Sequence, residues 1–161
     1  MTLEQGDLRL LETDLAARLL TSTIPARYAY TSLDGTPRIV ASWFVWTGEE
    51  LVLPTFISAP HITHAAYRVR ALRANPDVAV SIDTDSFPPE VLSIRGKAES
   101  TEIAGVAAEY AEAAHRFLGS EQAAGYLAQI DQPGAKGYHQ PTSLDEETTI
   151  IAKALANADP R

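Results

Sequence analysis

The stretch Ala26-Arg-Tyr-Ala-Tyr-Thr-Ser-Leu-Asp-Gly-Thr-Pro-Arg-Ile-Val-Ala-Ser-Trp-Phe-Val-Trp-Thr-Gly-Glu-Glu-Leu-Val-Leu-Pro-Thr-Phe56 decides the fold. From Ala26 to Ser32 the chain alternates loosely and carries Tyr28 and Tyr30, as a strand does. Asp34-Gly35 is a tight-turn pair. Thr36 to Thr47, rich in β-branched and aromatic residues, supplies the returning strand, so the two form a hairpin. Thr47-Gly-Glu-Glu50 makes a second turn and Leu51 to Phe56 a third strand, which completes a meander.

Outward from this meander the chain is mostly helical before it and mixed after it. Leu8, Leu11, Leu15 and Leu19 recur at helical spacing, so Leu8 to Leu20 reads as a helix that Thr21-Ser-Thr breaks. Pro60 opens a second helix, since its missing N–H would be unpaired there anyway. Ile62, Ala65, Ala66, Val69 and Leu72 give that helix its apolar stripe, and Asn75-Pro76 ends it. Val78 to Asp83 and Val91 to Ser100 read as strands around a Pro-rich loop, Thr84 to Pro89. Ile103 to Leu118 reads as an Ala- and Glu-rich helix stopped by Gly119, and Ser120 to Ile130 as another with Ser120 as its N-cap. Asp131 to Gln140 reads as a loop. Ser143-Leu-Asp-Glu146 resembles a capping box, which makes Asp145 to Asn157 a last helix, while Thr148-Thr-Ile-Ile151 equally suits a strand. Strands grouped in runs, rather than alternating with helices, give an α+β class with an antiparallel barrel and argue against a Rossmann sheet. The length of 161 residues suits one domain over 1–161, with 1–22 as its N-terminal helix and 131–161 as a tail packed on it.

Composition narrows the chemistry. The chain has no cysteine, which excludes disulfides, thiolate nucleophiles, Cys-ligated zinc and iron–sulfur clusters. The formal charge of -8 repels phosphate backbones, so nucleic acid is not an expected partner. The polar start is unlike a signal peptide, and no apolar run approaches the ~20 residues of a membrane helix. The expectation is a cytoplasmic protein with no membrane partner. There is no Gly-rich phosphate loop, nucleophile elbow or HExxH pattern, which leaves enzyme classes in which a cofactor carries the chemistry. His61 and His64 have the spacing of helical metal ligands, but no third ligand accompanies them, and no metal is assigned.

A set of short motifs then stands out in order: Ile24-Pro-Ala, Asp34-Gly-Thr-Pro37, Trp43-Phe44, Thr47-Gly48, Thr55, Arg68-Val-Arg-Ala-Leu72, Asn75-Pro76-Asp-Val78, Ile82-Asp-Thr84 and Arg95-Gly96. Together, over roughly Ala16 to Ser100, they resemble the pyridoxamine-phosphate-oxidase-related split-barrel flavoproteins. The resemblance implies an antiparallel split β-barrel with flanking helices that binds FMN, the deazaflavin coenzyme F420 or sometimes haem between two subunits. It implies that the strand Ile39 to Trp46 lies along the flavin ring. It assigns the phosphate to the strand Leu51 to Thr55 and the helix after it, with Arg68 at the basic position before Leu72.

Elementary chemistry supports that register. A phosphate needs convergent donors, namely an Arg fork, a hydroxyl and backbone amides. Thr55, Ser58 and Arg68 supply them, with Arg70 as a candidate helper, although helical positions 68 and 70 point roughly 200° apart. Trp43 and Val45 share one strand face and Phe44 and Trp46 the other, so one aromatic face meets flavin or partner while the other fills the barrel. The implied activity is an FMN-dependent oxidoreductase acting on a small molecule of unknown identity as a homodimer, with no side chain assigned as catalytic. The first alternative is an F420-dependent reductase, against which the acidic charge counts. The second is a non-catalytic flavin- or haem-binding protein, with His61, His64, His115 or His139 as iron ligands and haem the least favoured cofactor. A third is a barrel that has lost its ligand. Lys136-Gly-Tyr-His139 stands where such proteins often place a terminal cofactor-contacting strand.

Overall fold

A computed structural model describes residues 3–57, 66–143 and 149–154, and its paired strands are all antiparallel. In chain order the strands are β1 (Ala26–Thr31), β2 (Pro37–Ser42), β3 (Val45–Trp46), β4 (Leu51–Val52), β5 (Thr55–Ile57), β6 (Asp77–Asp83), β7 (Glu90–Ala98), β8 (Thr101–Ala104), β9 (Lys136–His139), β10 (Pro141–Ser143) and β11 (Thr149–Ala154). The helices are α1 (Asp14–Leu20), α2 (Tyr67–Ala74), α3 (Ala108–Leu118) and α4 (Ser120–Ile130). The large sheet runs β2-β1-β6-β7-β10-β4-β3, with β11 also on β7, and a small sheet runs β5-β9-β8. The large sheet curls without closing, which makes the architecture an α+β split barrel.

The alternation read in the sequence fills the barrel. Tyr28 on β1, Val80 and Ile82 on β6, and Leu92 and Ile94 on β7 all point inward and are buried. Leu19 and Leu20 of α1 and Leu72 of α2 close over them in the same cluster. Each such side chain contributes about 1.5–3 kcal/mol on leaving water. The hairpin turn is as expected: Gly35 takes φ +82, a conformation that glycine adopts without strain, and Gly35 N donates to Ser32 O at 2.9 Å.

Several expected elements differ, each for a physical reason. The single strand Thr36 to Thr47 is two strands, because the carbonyls between them leave the ladder. Ser42 Oγ donates to Trp43 O at 2.9 Å, and Arg116 donates to Phe44 O at 2.5 Å and to Ser22 O at 3.1 Å. The strand Leu51 to Phe56 also splits, and its halves join different sheets on either side of Pro54. The first helix is a 3-10 turn (Leu8–Glu12) followed by α1, because Thr13 Oγ1 donates to Leu10 O at 2.7 Å and caps Ala16 N at 3.3 Å.

Two strands were hidden in regions read otherwise. The proposed helix Ile103 to Leu118 begins only at Ala108, since Thr101–Ala104 forms β8. The proposed loop Asp131 to Gln140 contains β9, held between β5 and β8. Ser120 is the first helical residue rather than the cap; Gly119, with φ +82, turns the chain between α3 and α4. Of the two readings of the tail, the strand is correct: β11 pairs with β7 from Thr149↔Arg95 to Ala154↔Glu90. Glu90, at the start of β7, pairs with Arg18 of α1 at 2.5 Å. The helix read from Pro60 to Asn75 begins at Tyr67, because Ala66, with φ -53 and ψ 146, is its non-helical N-cap; residues 58–65 lie outside the described residues.

Candidate functional site

The chain changes sheets at Pro54, and Thr55 is the first residue on the far side. This places the Thr55 hydroxyl near the start of α2, whose first turn carries Arg68. Arg68 Nη2 donates to Thr55 Oγ1. Thr55 Oγ1 donates in turn to Gln140 Oε1 at 2.5 Å, and Gln140 Nε2 donates to Ser100 Oγ at 3.4 Å. The Gln140 side chain is fully buried, so this polarised chain is fixed from beneath.

Arg68 is the unusual member. Its guanidinium carbon lies 5.3 Å from the centre of the Tyr28 ring. Its Nε is buried with no hydrogen-bond partner among the described residues, and none of those residues forms an ion pair with it. Burial pulls the Arg68 pKa down from its ordinary value, yet a guanidinium stays charged in proteins. Burial pushes the Tyr28 hydroxyl up to about 12, so Tyr28 gives the cation no counter-charge at neutral pH. A desolvated cation without a counter-charge is expensive, and an anion with several acceptor oxygens relieves it.

A cavity of about 340 Å³ opens beside this cation, lined among others by Ser42, Trp43, Thr55, Phe56, Arg68, Tyr110 and Tyr126. One wall is aromatic. Trp43 stacks on Phe117 at 5.7 Å and 16°, and Tyr110 packs 5.6 Å from Trp43 and 5.5 Å from Phe56. The other wall is the Arg68–Thr55 pair. A flat ring system carrying a phosphoryl group matches both, so the residues present fit a flavin-type coenzyme. A larger hollow of about 730 Å³ lies between Glu102–Gly105 and Asp131–Lys136. Its one lining cation, Lys136, is offset by Glu102 at 3.7 Å, so it lacks the unmatched cation that marks the smaller cavity.

The structure brings Arg68, Thr55 and Trp43 to one cavity. Phe44 is fully buried in the core, against Phe117 at 5.8 Å and under the Arg116 guanidinium at 4.8 Å. Arg70 is exposed and lies over Tyr67 at 5.5 Å. Ser58, His61 and His64 lie outside the described residues. His115 is exposed on α3, and His139 lies 3.2 Å from Glu109. Among the described residues no three metal-ligating side chains converge. Sequence reasoning missed Tyr28, Gln140, Tyr110 and Tyr126. Tyr28 was legible as an inward residue of β1, but the other three reach the site through pairings distant in the chain.

These features define a fold class, the α+β split barrel, and its structural neighbours are pyridoxamine-phosphate-oxidase-like split-barrel proteins, as the ordered motifs of the sequence imply. The chain resembles an F420 reductase at 28% identity and TM-score 0.54, over 78% of this chain and 91% of that one. It shares the fold of a conserved hypothetical protein from Mycobacterium tuberculosis (18% identity, TM-score 0.60, 98% of this chain and 96% of that one). It also shares the fold of HutZ, the haem storage protein from Vibrio cholerae (16% identity, TM-score 0.54, 84% and 89%). No protein-family model matches the chain, and neither does any curated protein sequence. Among the described residues no helix is long and apolar enough to cross a membrane.

Proposed function

We propose that this chain is an oxidoreductase that binds a flavin-type coenzyme in the Arg68–Thr55 cavity, phosphoryl group toward Arg68. The observation that carries the reading is the half-buried Arg68 side chain, with its Nε buried and unsatisfied and no carboxylate against it among the described residues. When bound, the coenzyme supplies hydride transfer. The protein's part is to bind and orient. Arg68 donates to the phosphoryl oxygens, Gln140 and Thr55 hold its Nη2 in place, and Trp43 and Phe56 offer aromatic surface to a ring.

Two coenzymes share this chemistry. FMN follows from the family resemblance of the sequence motifs. Deazaflavin F420 is favoured by a specific observation, the likeness to an F420 reductase at 28% identity, and we place it first. Its acidic tail would need cations beyond Arg68, and exposed Arg70 is on the same helix. We further propose a cytoplasmic homodimer in which a second copy covers the cavity mouth. The exposed Ile39 on edge strand β2 suits that contact.

The reading is tested by titrating the purified protein with F420 and with FMN, following Trp fluorescence. Saturable binding of one coenzyme per chain supports it, and tighter binding of F420 than FMN supports the deazaflavin form. Absence of binding by both sinks the proposal.

A further inference from the structure

Tyr110 on α3 and Tyr126 on α4 meet across the helix pair, their hydroxyl oxygens 2.7 Å apart. Both residues line the 340 Å³ cavity that contains Arg68 and Thr55. A phenolic hydroxyl has a single proton to donate. The bond between the two consumes one proton, so whichever hydroxyl donates, the other keeps its own. Neither hydroxyl has a second hydrogen-bond partner among the described residues. Burial and this bond push the Tyr110 pKa up from its ordinary value, so Tyr110 keeps its proton at neutral pH. Around it the surface is aromatic: Trp43 lies 5.6 Å from Tyr110 and meets Tyr126 edge-on at 6.1 Å.

The cavity therefore has two different poles. Arg68 offers charge to an anion, and the tyrosine pair offers one neutral O–H donor beside aromatic rings. We infer that the leftover hydroxyl of the Tyr110–Tyr126 pair donates a hydrogen bond to a carbonyl-type oxygen on a flat molecule in this cavity. The inference rests on the proposed function only for which molecule carries that oxygen, the coenzyme ring or a flat carbonyl substrate beside it.

The geometry makes an uncommon demand on mutants. Tyr110→Phe leaves Tyr126 with a free O–H, and Tyr126→Phe leaves Tyr110 with one. Each single variant keeps a donor and loses the mutual bond. Only Tyr110→Phe/Tyr126→Phe together remove the donor, with both rings and their packing retained. A merely structural role for the pair predicts the opposite, full loss in each single variant.

The experiment compares two probes of like shape, acetophenone and α-methylstyrene, which differ by C=O against C=CH2. Binding is followed by Trp fluorescence, on the protein with and without bound coenzyme. F420 and FMN are titrated separately into the unaltered protein and all three variants, with thermal unfolding confirming that each is folded. The inference predicts loss of about tenfold in one affinity in the double variant, the size of one hydrogen bond, with near-normal values in both singles. If acetophenone loses its advantage over α-methylstyrene and coenzyme affinity holds, the acceptor belongs to a substrate. If coenzyme affinity falls, it belongs to the coenzyme. If neither changes in the double variant, or both singles lose as much as the double, the inference is overturned. Failure of the coenzyme reading is a separate result, the absence of F420 and FMN binding by unaltered protein.

Discussion

At the residue scale, Tyr28 and Arg68 are held together by what each lacks. Tyr28 is buried and Arg68 half-buried with its Nε out of reach of solvent, and neither the Tyr28 hydroxyl nor Arg68 Nε has a hydrogen-bond partner among the described residues. Burying an unpaired hydroxyl costs about 1–3 kcal/mol. Tyr28→Phe keeps the ring beneath the guanidinium and removes that cost. Thermal unfolding is expected to show a variant at least as stable as the parent, with coenzyme affinity unchanged. The same residue sets a pH dependence. The Tyr28 hydroxyl is raised from 10.0 to about 12 on folding, so the folded chain holds this proton more tightly. Its contribution is complete below pH 10 and is lost as the pH rises toward 12, a decline of about 2–3 kcal/mol at most. Urea unfolding across pH 9 to 12 is expected to show that decline in the parent and a flatter profile in Tyr28→Phe. Arg70, exposed over Tyr67, provides the local contrast with Arg68. Arg70→Gln is expected to leave FMN affinity within about twofold, as surface substitutions usually do.

At the element scale, the site depends on β9, which places buried Gln140 just beyond its end. Strand β9 pairs Tyr138 with Thr55 of β5, so it also sets the height of the Thr55 hydroxyl. Gly137 in its middle tolerates no larger residue. A Cβ there would lie 2.6 Å from Gly105 O and 2.9 Å from Ala107 N, both backbone atoms. Gly137→Ala is expected to destabilise by about 1–3 kcal/mol, read as a lower urea midpoint, and to weaken coenzyme binding through β5. This strand was invisible to pattern reading because Lys-Gly-Tyr-His has no β-branched residue and contains a glycine. Its place comes from partners about 30 and 80 residues earlier in the chain (β8 and β5). Strand β8, Thr-Glu-Ile-Ala, was hidden because it is four residues long and runs straight into an Ala-rich stretch that reads as helix. By contrast β1, β6 and β7 were legible because one face of each is buried along its length, and that leaves a period-two signal. Thr55, Arg68 and Trp43 were legible as candidates because local motifs carry them. Gln140, Tyr110 and Tyr126 were not, because Gln140 meets Thr55 only through the pairing of β9 with β5, and the two tyrosines reach the cavity only through the packing of α4 on α3 and of α3 on β3.

At the scale of the whole molecule, the main path of the large sheet ends at β2 and β3, and β11 adds a further edge, among the described residues. Exposed edges invite a partner or must be covered. Strand β2 is mostly exposed, and Ile39 on it is 66% exposed in the single chain. The proposed homodimer would cover this face. Light scattering is expected to give twice the chain mass of 17.4 kDa, and Ile39→Asp is expected to shift the equilibrium toward monomer and weaken coenzyme retention. A parent protein that stays monomeric at tens of micromolar would contradict the shared-site arrangement while leaving the Arg68 cavity itself to be tested. The central claim is that this cavity binds a phosphoryl-bearing flavin-type coenzyme through Arg68. Its most direct test is fluorescence titration of the parent and Arg68→Gln with F420 and FMN, beside lumiflavin, which has the ring without the phosphate. The account predicts saturable binding by the parent, a loss of roughly 10- to 150-fold in Arg68→Gln for the phosphorylated coenzymes, as a charge-assisted bond requires, and little change for lumiflavin. Equal affinity of parent and variant for F420 and FMN would contradict it.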